Sequence, residues 1–325
     1  MKSILSCFCM SFFLIRMDFK NRDIISIKEL TKNEINHILN YAKKMVPYAS
    51  GKKYKDILNG KVLSSLFFEP STRTRLSFDS AMSRLGGKVI GFSDPSGTSQ
   101  KKGESLADTI RMADSYSDVI VVRHPQEGAA RLAAEFADSP VLNAGDGAGQ
   151  HPTQCLLDLF TILTEKGAIK NNKIILLGDL KYGRTVHSLA YALALYGADL
   201  TFVSPNNLKM PKEVLDECRE LGVEPTQTSS LEKAIKTADV LYATRIQKER
   251  FPDASEYNKV VGSYKIDKDL LENANDDLII MHPLPRVTEI DPDVDETTHA
   301  VYFKQAFNGV PVRMALLSLL IGELL

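Results

Sequence analysis

Cysteine is scarce in this 325-residue chain, and its four copies are badly placed to staple a fold. Cys7, Cys9, Cys155 and Cys218 show neither CxxC pairing nor histidine partners at zinc spacing, so a disulfide framework or metal site is not indicated. Such thiols suit a reducing, cytoplasmic compartment. An excess of charge of one sign is also missing. Forty Lys and Arg face 41 Asp and Glu, and a net charge of −1 gives no overall field toward nucleic acid or anionic lipid. Positive charge for an anionic ligand must therefore be concentrated locally. No membrane-length apolar run occurs. Lys2 precedes an apolar stretch from Ile4 to Ile15, closed by Arg16, but it is too short to span a bilayer and no small-residue cleavage site follows. Residues 1–16 read as an upstream extension, with Met17 the expected start, rather than as a targeting segment. Two nucleotide signatures are absent: there is no GxxxxGK[ST], and Gly178–Thr185 lacks the GxGxxG spacing of a dinucleotide site. Repeats and low-complexity tracts are lacking as well.

The length suits two α/β domains better than one core. Apolar residues at 44% and charged residues at 25% place the chain among ordinary soluble globular proteins. Thr31 and Glu34 form a capping box ahead of Ile35, Ile38, Leu39, Ala42 and Met45, which recur on one helical face, and Pro47 and Gly51 close that region. Strands are expected at Val62–Phe68, Val89–Phe92, Val119–Val122 and Val141–Asn143, with helices near Thr72–Leu85, Ser105–Ser115 and Gly128–Ala137 between them. A polar glycine loop, Gly145–Gln150, interrupts the pattern. A helix over about Thr153–Lys166 follows, and strands resume at Ile174–Leu177, Leu200–Val203, Val240–Ala243 and Leu278–Met281. Two alternating blocks meeting near His151 imply two mainly parallel sheets flanked by helices. The segment Ala306–Leu325 reads as a closing apolar-faced helix that packs back on the first domain.

The strongest chemical signal is Glu69-Pro70-Ser71-Thr72-Arg73-Thr74-Arg75, where a strand turns into a helix. Free N–H groups and the positive dipole end form a natural phosphate cradle, to which Ser71, Thr72 and Thr74 add hydroxyls and Arg73 a forked guanidinium. An N-capped helix with solvated arginines explains one hydroxyl residue, not three beside two arginines. Arg123-His124-Pro125, Gln150-His151-Pro152-Thr153-Gln154 and His282-Pro283-Leu284-Pro285-Arg286 lie at further strand ends, where ligands of parallel sheets collect. Each alone also fits an ordinary turn. Arg184, at a helix start, and Arg245 offer two guanidiniums suited to a dicarboxylate, with surface salt bridges as the plainer alternative.

Together these motifs resemble the catalytic chain of the aspartate carbamoyltransferase family, over nearly everything from about Asp23 onward. The Ser-Thr-Arg-Thr, Arg-His-Pro and His-Pro-x-Gln motifs are shared with ornithine carbamoyltransferases. The segments around Arg184, Arg245 and Leu284-Pro285-Arg286 mark the aspartate branch. The resemblance implies a carbamoyl-phosphate-binding domain at 17–152, completed by the helix 306–325, and an aspartate-binding domain at 153–305. It implies that Ser71, Thr72, Arg73 and Thr74 bind the phosphate, that Thr74, Arg123 and His151 reach the carbonyl oxygen, and that Gln154 lies near the amide nitrogen. Ser99 and Lys102, on the loop Ser99–Glu104, match residues lent to a neighbouring subunit's site; the loop is about one residue shorter than in some relatives, which keeps Lys101 as an alternative. Arg184, Arg245 and Gln247, with the backbone at Leu284 and Pro285, match the aspartate positions, and Lys102 reaches this substrate too.

The activity so implied is transfer of the carbamoyl group of carbamoyl phosphate to L-aspartate in pyrimidine synthesis, by a homotrimer needing no cofactor or metal. A regulatory chain is a further candidate partner. A carbamoyltransferase for ornithine or another amine is the alternative enzyme, but the ornithine family's Asp-x-x-x-Ser-Met-Gly and His-Cys-Leu-Pro motifs are absent. A non-catalytic paralogue is the other competitor; such chains usually lose part of the charged site, and here every matched position is present.

Overall fold

The structure, a computed structural model, describes residues 18–94, 97–246, 253, 255, 257, 260 and 262–325. The expectations for the N-terminal extension, the Met17 start and Gln247 fall outside these residues.

The first helix, α1 (Lys32–Ala49), begins where its capping box predicts. Thr31 Oγ1 accepts from the Glu34 N–H at 3.3 Å, and Glu34 Oε2 accepts from the Thr31 N–H at 2.7 Å. Ile35, Ile38, Leu39, Ala42 and Met45 are all buried on one face. Pro47 does not stop the helix: it sits in the last turn, and its carbonyl accepts from the N–H groups of Lys52 and Lys53 as the chain leaves.

The first block contains β1 (Val62–Phe67), α2 (Thr72–Arg84), β2 (Lys88–Phe92), α3 (Leu106–Asp114), β3 (Val119–His124), α4 (Ala129–Phe136) and β4 (Val141–Asp146). Its four strands pair in parallel in the order β2-β1-β3-β4. After α5 (Pro152–Lys166) the second block supplies β5 (Lys173–Leu177), α6 (Arg184–Tyr196), β6 (Asp199–Val203), α7 (Lys212–Glu220), β7 (Thr226–Thr228), β8 (Val240–Ala243) and β9 (Ile279–Met281). These strands are also parallel, in the order β7-β6-β5-β8-β9. β7 is a polar edge strand that hydrophobic patterning does not reveal.

The C-terminal helix runs from Tyr302 to Ile321, four residues earlier than its apolar pattern suggests, and ends at Gly322, whose φ of +85° forms the left-handed cap. It packs against α1, α2 and α5, and so returns to the first sheet. One apolar cluster runs from α1 through α5 and α6 to the C-terminal helix, joining the inner faces of both sheets; smaller clusters cover the outer faces.

In each sheet the chain reverses its direction of winding once. The reversals fall between β1 and β3 and between β5 and β8. The helices there wind to opposite sides and leave a crevice beyond the strands' carboxyl ends. The two crevices face each other.

Candidate active site

A cavity of about 520 Å³ occupies this space. Its walls include Glu69–Thr74 beyond β1, Arg123 on β3, His151 and Gln154 at the start of α5, Arg184 opening α6, Arg245 beyond β8, and His282–Pro285 beyond β9. These residues lie at separate strand ends, and the fold brings them to one cleft, as the strand-end rule for parallel sheets predicts from the sequence. Five arginines line the cavity (Arg73, Arg123, Arg184, Arg245 and Arg313), against one carboxylate, Glu69, among the described residues. A chain of net charge −1 has thus concentrated its positive charge in one place, as a site for anions requires.

At the first-sheet end, Ser71 is the N-cap of α2 with extended backbone, but its side chain makes no capping bond. The hydroxyl is not spent on the helix, and the first-turn N–H groups point outward. Thr74 is buried, while Thr72 and Arg73 meet solvent at the mouth. Surrounding protein, and then the Arg245 guanidinium, lower the Arg73 pKa. Two cations from opposite sheets thus repel across the cavity, and an anion between them relieves that cost.

The end of β4 and the glycine loop after it hold two more guanidiniums. Arg123 Nη1 donates to the Ala144 carbonyl at 3.1 Å, and Arg184 Nη1 donates to the Gly147 carbonyl. Gly145 makes this possible. Its φ is +116°, and a Cβ there would lie 2.8 Å from Arg123 Nη1 and 3.0 Å from Arg184 Nη2. Gly178 does the same for the second sheet: with φ +116°, its Cβ would meet the Thr244 carbonyl oxygen at 2.3 Å, so β5 and β8 could not end so close together. Glu69 bridges the two sheets, with Oε2 2.8 Å from Arg123 Nη2 and 3.8 Å from Arg184 Nη2.

His151 caps α5 with its backbone, its carbonyl accepting from the N–H groups of Gln154 and Cys155 at 3.0 and 3.2 Å. The ring is buried, and Nδ1 has no hydrogen-bond partner. Burial, and after it the charges of Arg123, Arg184 and Arg313, push the imidazole well below its ordinary 6.5. It is therefore neutral at pH 7, suited to donating a hydrogen bond and poorly suited to taking up a proton.

At the far wall, Leu284 adopts φ +55°, a left-handed conformation that costs a bulky residue about 1–2 kcal/mol. Neighbouring bonds hold it: the Leu284 N–H donates to His282 Nδ1 at 2.8 Å, and His282 Nε2 meets Glu289 Oε1 at 2.8 Å. His282 is scaffolding for this turn.

Two expected residues are not brought in. Ser99 and Lys102 lie exposed on a short helical turn and are not part of this chain's cavity wall, and Lys101 is likewise exposed. Sequence reasoning missed Glu69 as a bridge, as well as Arg313 and Gln305 on the C-terminal helix. Arg313 is buried, its Nη2 3.3 Å from Thr153 Oγ1 and its guanidinium 4.8 Å from the Phe78 ring centroid. An arginine inside the apolar run Val310–Leu320 was the available signal. Among the described residues, no group of three or more His, Cys, Asp or Glu could hold a metal ion. No helix among them is long and apolar enough to cross a membrane.

Comparison with known proteins agrees with this geometry. Residues 22–164 match the family "Aspartate/ornithine carbamoyltransferase, carbamoyl-P binding domain", and residues 170–320 match "Aspartate/ornithine carbamoyltransferase, Asp/Orn binding domain". The chain is 61% identical over 308 residues to the aspartate carbamoyltransferase catalytic subunit of Thermococcus kodakarensis, covering 95% of this chain and 99% of that one. The catalytic subunit of M. jannaschii aspartate transcarbamoylase superimposes with a TM-score of 0.87 at 54% identity, covering 93% and 98% of the two chains. Aspartate transcarbamoylase from Trypanosoma cruzi, solved in complex with carbamoyl phosphate and aspartate, gives a TM-score of 0.88 at 41% identity over 93% and 98%. With both family segments in order and identity near 60% along almost its whole length, the chain belongs to the aspartate/ornithine carbamoyltransferase family, among the aspartate carbamoyltransferase catalytic chains.

Proposed function

We infer that this chain transfers the carbamoyl group of carbamoyl phosphate to the amine of L-aspartate, giving N-carbamoyl-L-aspartate and phosphate in cytoplasmic pyrimidine synthesis. The observation that carries this reading is one cavity lined by five arginines, two from the first block, two from the second and one from the C-terminal helix, around the buried neutral His151. In this reading residues 17–152 with the helix 306–325 bind carbamoyl phosphate, and residues 153–305 bind aspartate.

The phosphate sits at the α2 N-terminus, held by Ser71, Thr72, Arg73 and Thr74. Thr74, Arg123 and His151 donate to the carbonyl oxygen, and Gln154 meets the carbamoyl NH2. Arg184 and Arg245 take the two aspartate carboxylates, with the Leu284–Pro285 backbone and Gln247 completing the pocket. The neutral aspartate amine attacks the carbamoyl carbon, and the developing oxyanion is met by donors fixed in advance, each worth about 10²–10³ in rate. The C–O bond to phosphate then breaks. The phosphate oxygen takes up the amine proton as it departs, so phosphate leaves as the dianion HPO4²⁻, whose charge Arg73 and Arg123 neutralise. Holding both substrates in one oriented cavity supplies much of the remaining acceleration.

Ser99 and Lys102 point to assembly. Their exposure outside their own cavity supports a homotrimer in which each chain lends this turn to a neighbour's site. The activity is tested by incubating the purified chain with carbamoyl phosphate and L-aspartate; equal yields of carbamoyl-aspartate and phosphate are expected, and phosphate release without the organic product would contradict the reading. The shared site is tested by mixing Lys102→Ala and His151→Ala chains, each nearly inactive alone. Part of the activity should return after subunit exchange; confirmed mixed trimers without recovery would reject it.

A further inference from the structure

Asp158 is a buried carboxylate one helical turn beyond Gln154, behind the cavity wall. Three donors from three elements converge on it. Gln154 Nε2 on α5 and Gln305 Nε2 on the C-terminal helix donate to Oδ1 at 2.9 and 2.7 Å, and the Tyr242 hydroxyl on β8 donates to Oδ2 at 2.9 Å. None of the catalytic steps above uses this group.

The two ends of a glutamine amide differ only in what they bond, so a partner of fixed character decides which way the amide faces. Gln305 is fixed independently. Its Oε1 accepts from the His282 backbone N–H at 2.8 Å, a group that only donates, so its Nε2 must face Asp158. Gln154 has the same acceptor, Oδ1, and must likewise present its NH2. Its carbonyl oxygen is then the end left for the cavity that Gln154 lines. A proton on Oδ2, toward Tyr242, would leave Oδ1 an acceptor, so the orientation does not depend on the charge of Asp158.

We propose that Asp158 is a positioning residue that fixes the Gln154 amide so that its carbonyl oxygen accepts a hydrogen bond from the carbamoyl NH2, selecting a carbamoyl over an acyl phosphate. The inference rests on the carbamoyl-transfer reading and adds a specificity device to it. Through Gln305 the same carboxylate also braces His282, which opens the turn carrying Leu284 and Pro285. One buried group thereby sets an edge of each substrate's subsite.

Acetyl phosphate is the discriminating probe, since it keeps the phosphate and carbonyl but carries a methyl in place of NH2. The measurement is the ratio of its inhibition constant to the carbamoyl phosphate KM in the intact enzyme. Asp158→Ala should lower that ratio by about tenfold, the worth of one hydrogen bond to a substrate donor. Asp158→Asn should restore most of it, because Asn Oδ1 still accepts from both glutamines while Nδ2 donates to Tyr242. If Asp158→Ala does not fold, Asp158→Ser serves, its short side chain falling back from the amides. In a Gln154→Ala background the Asp158 change should have no further effect on the ratio, whereas a merely structural role would add to it. A folded Asp158→Ala or Asp158→Ser enzyme with wild-type selectivity overturns the proposal, as does additivity with Gln154→Ala. Failure of the wild-type enzyme to use carbamoyl phosphate would overturn the underlying reading before any variant was compared.

Discussion

The two ends of the cavity are built in different ways. At the first-sheet end, Ser71, Thr72, Arg73 and Thr74 are consecutive, and one helix start places all four. At the second-sheet end, Arg184, Arg245 and the Leu284–Pro285 turn come from three strand ends spread over a hundred residues. The first end derives its character from local physics, a helix N-terminus with hydroxyls and a guanidinium. The second depends on a reversal of winding that brings the ends of β5 and β8 together, with glycine at 178 permitting the approach. On the proposed reading, the anion cradle is carried by a short peptide, whereas the dicarboxylate pocket is assembled from a whole sheet.

The largest expected effect lies at the local end. Arg73→Ala should lower kcat by about 10²–10³-fold while the thermal melting curve stays near wild type, because the side chain meets solvent at the cavity mouth. A folded variant with wild-type kcat would remove Arg73 from the mechanism. Gly145→Ala should damage both ends together, since its Cβ collides with the guanidiniums of Arg123 and Arg184. A displacement of that kind costs up to about 10²-fold in kcat/KM, and steady-state kinetics should show both substrates affected. An effect confined to one substrate would mean that the loop does not couple the ends.

Arg245→Ala should separate the two ends. The aspartate KM should rise by about tenfold or more, the worth of a charge-assisted pair, with little change in carbamoyl phosphate affinity. Equal losses for both substrates would argue against distinct subsites. The smallest effect concerns pH. His151 has a folded pKa depressed below 6.5, so its contribution to stability is full above 6.5 and is lost as pH falls below that value. Urea unfolding at pH 7.5 and 5.5 should show a larger drop in wild type than in His151→Asn, by up to about 1 kcal/mol. Identical drops would mean that the ring titrates in the fold as it does in the unfolded chain.

This contrast also explains what the sequence made legible. The strands Val119–Val122 and Ile174–Leu177 are buried on both faces and read as unbroken apolar runs, so the alternation and the two parallel sheets were visible. The Ser71–Thr74 cradle was visible for the same local reason. Strand β7, Thr226–Thr228, was not, because a polar edge has no hydrophobic signature. Pro47 and Pro311 lie within helices that proline would be expected to break. The Asp158 hub was hidden by distance, for its partners Tyr242 and Gln305 lie 84 and 147 residues along the chain. A lone aspartate in a buried helical stretch was the only trace of it. Leu284's left-handed backbone left no trace, since leucine gives no warning of positive φ.

The central claim is that the dispersed end of the cavity selects a dicarboxylate amine while the contiguous end holds carbamoyl phosphate. Comparing kcat/KM for L-aspartate and L-ornithine at saturating carbamoyl phosphate tests it most directly, with Arg245→Ala run alongside. The account predicts carbamoyl transfer to aspartate alone at a measurable rate in the wild-type enzyme, and a sharply lower aspartate kcat/KM in the variant. Comparable transfer to ornithine, or an aspartate rate indifferent to Arg245, would contradict it.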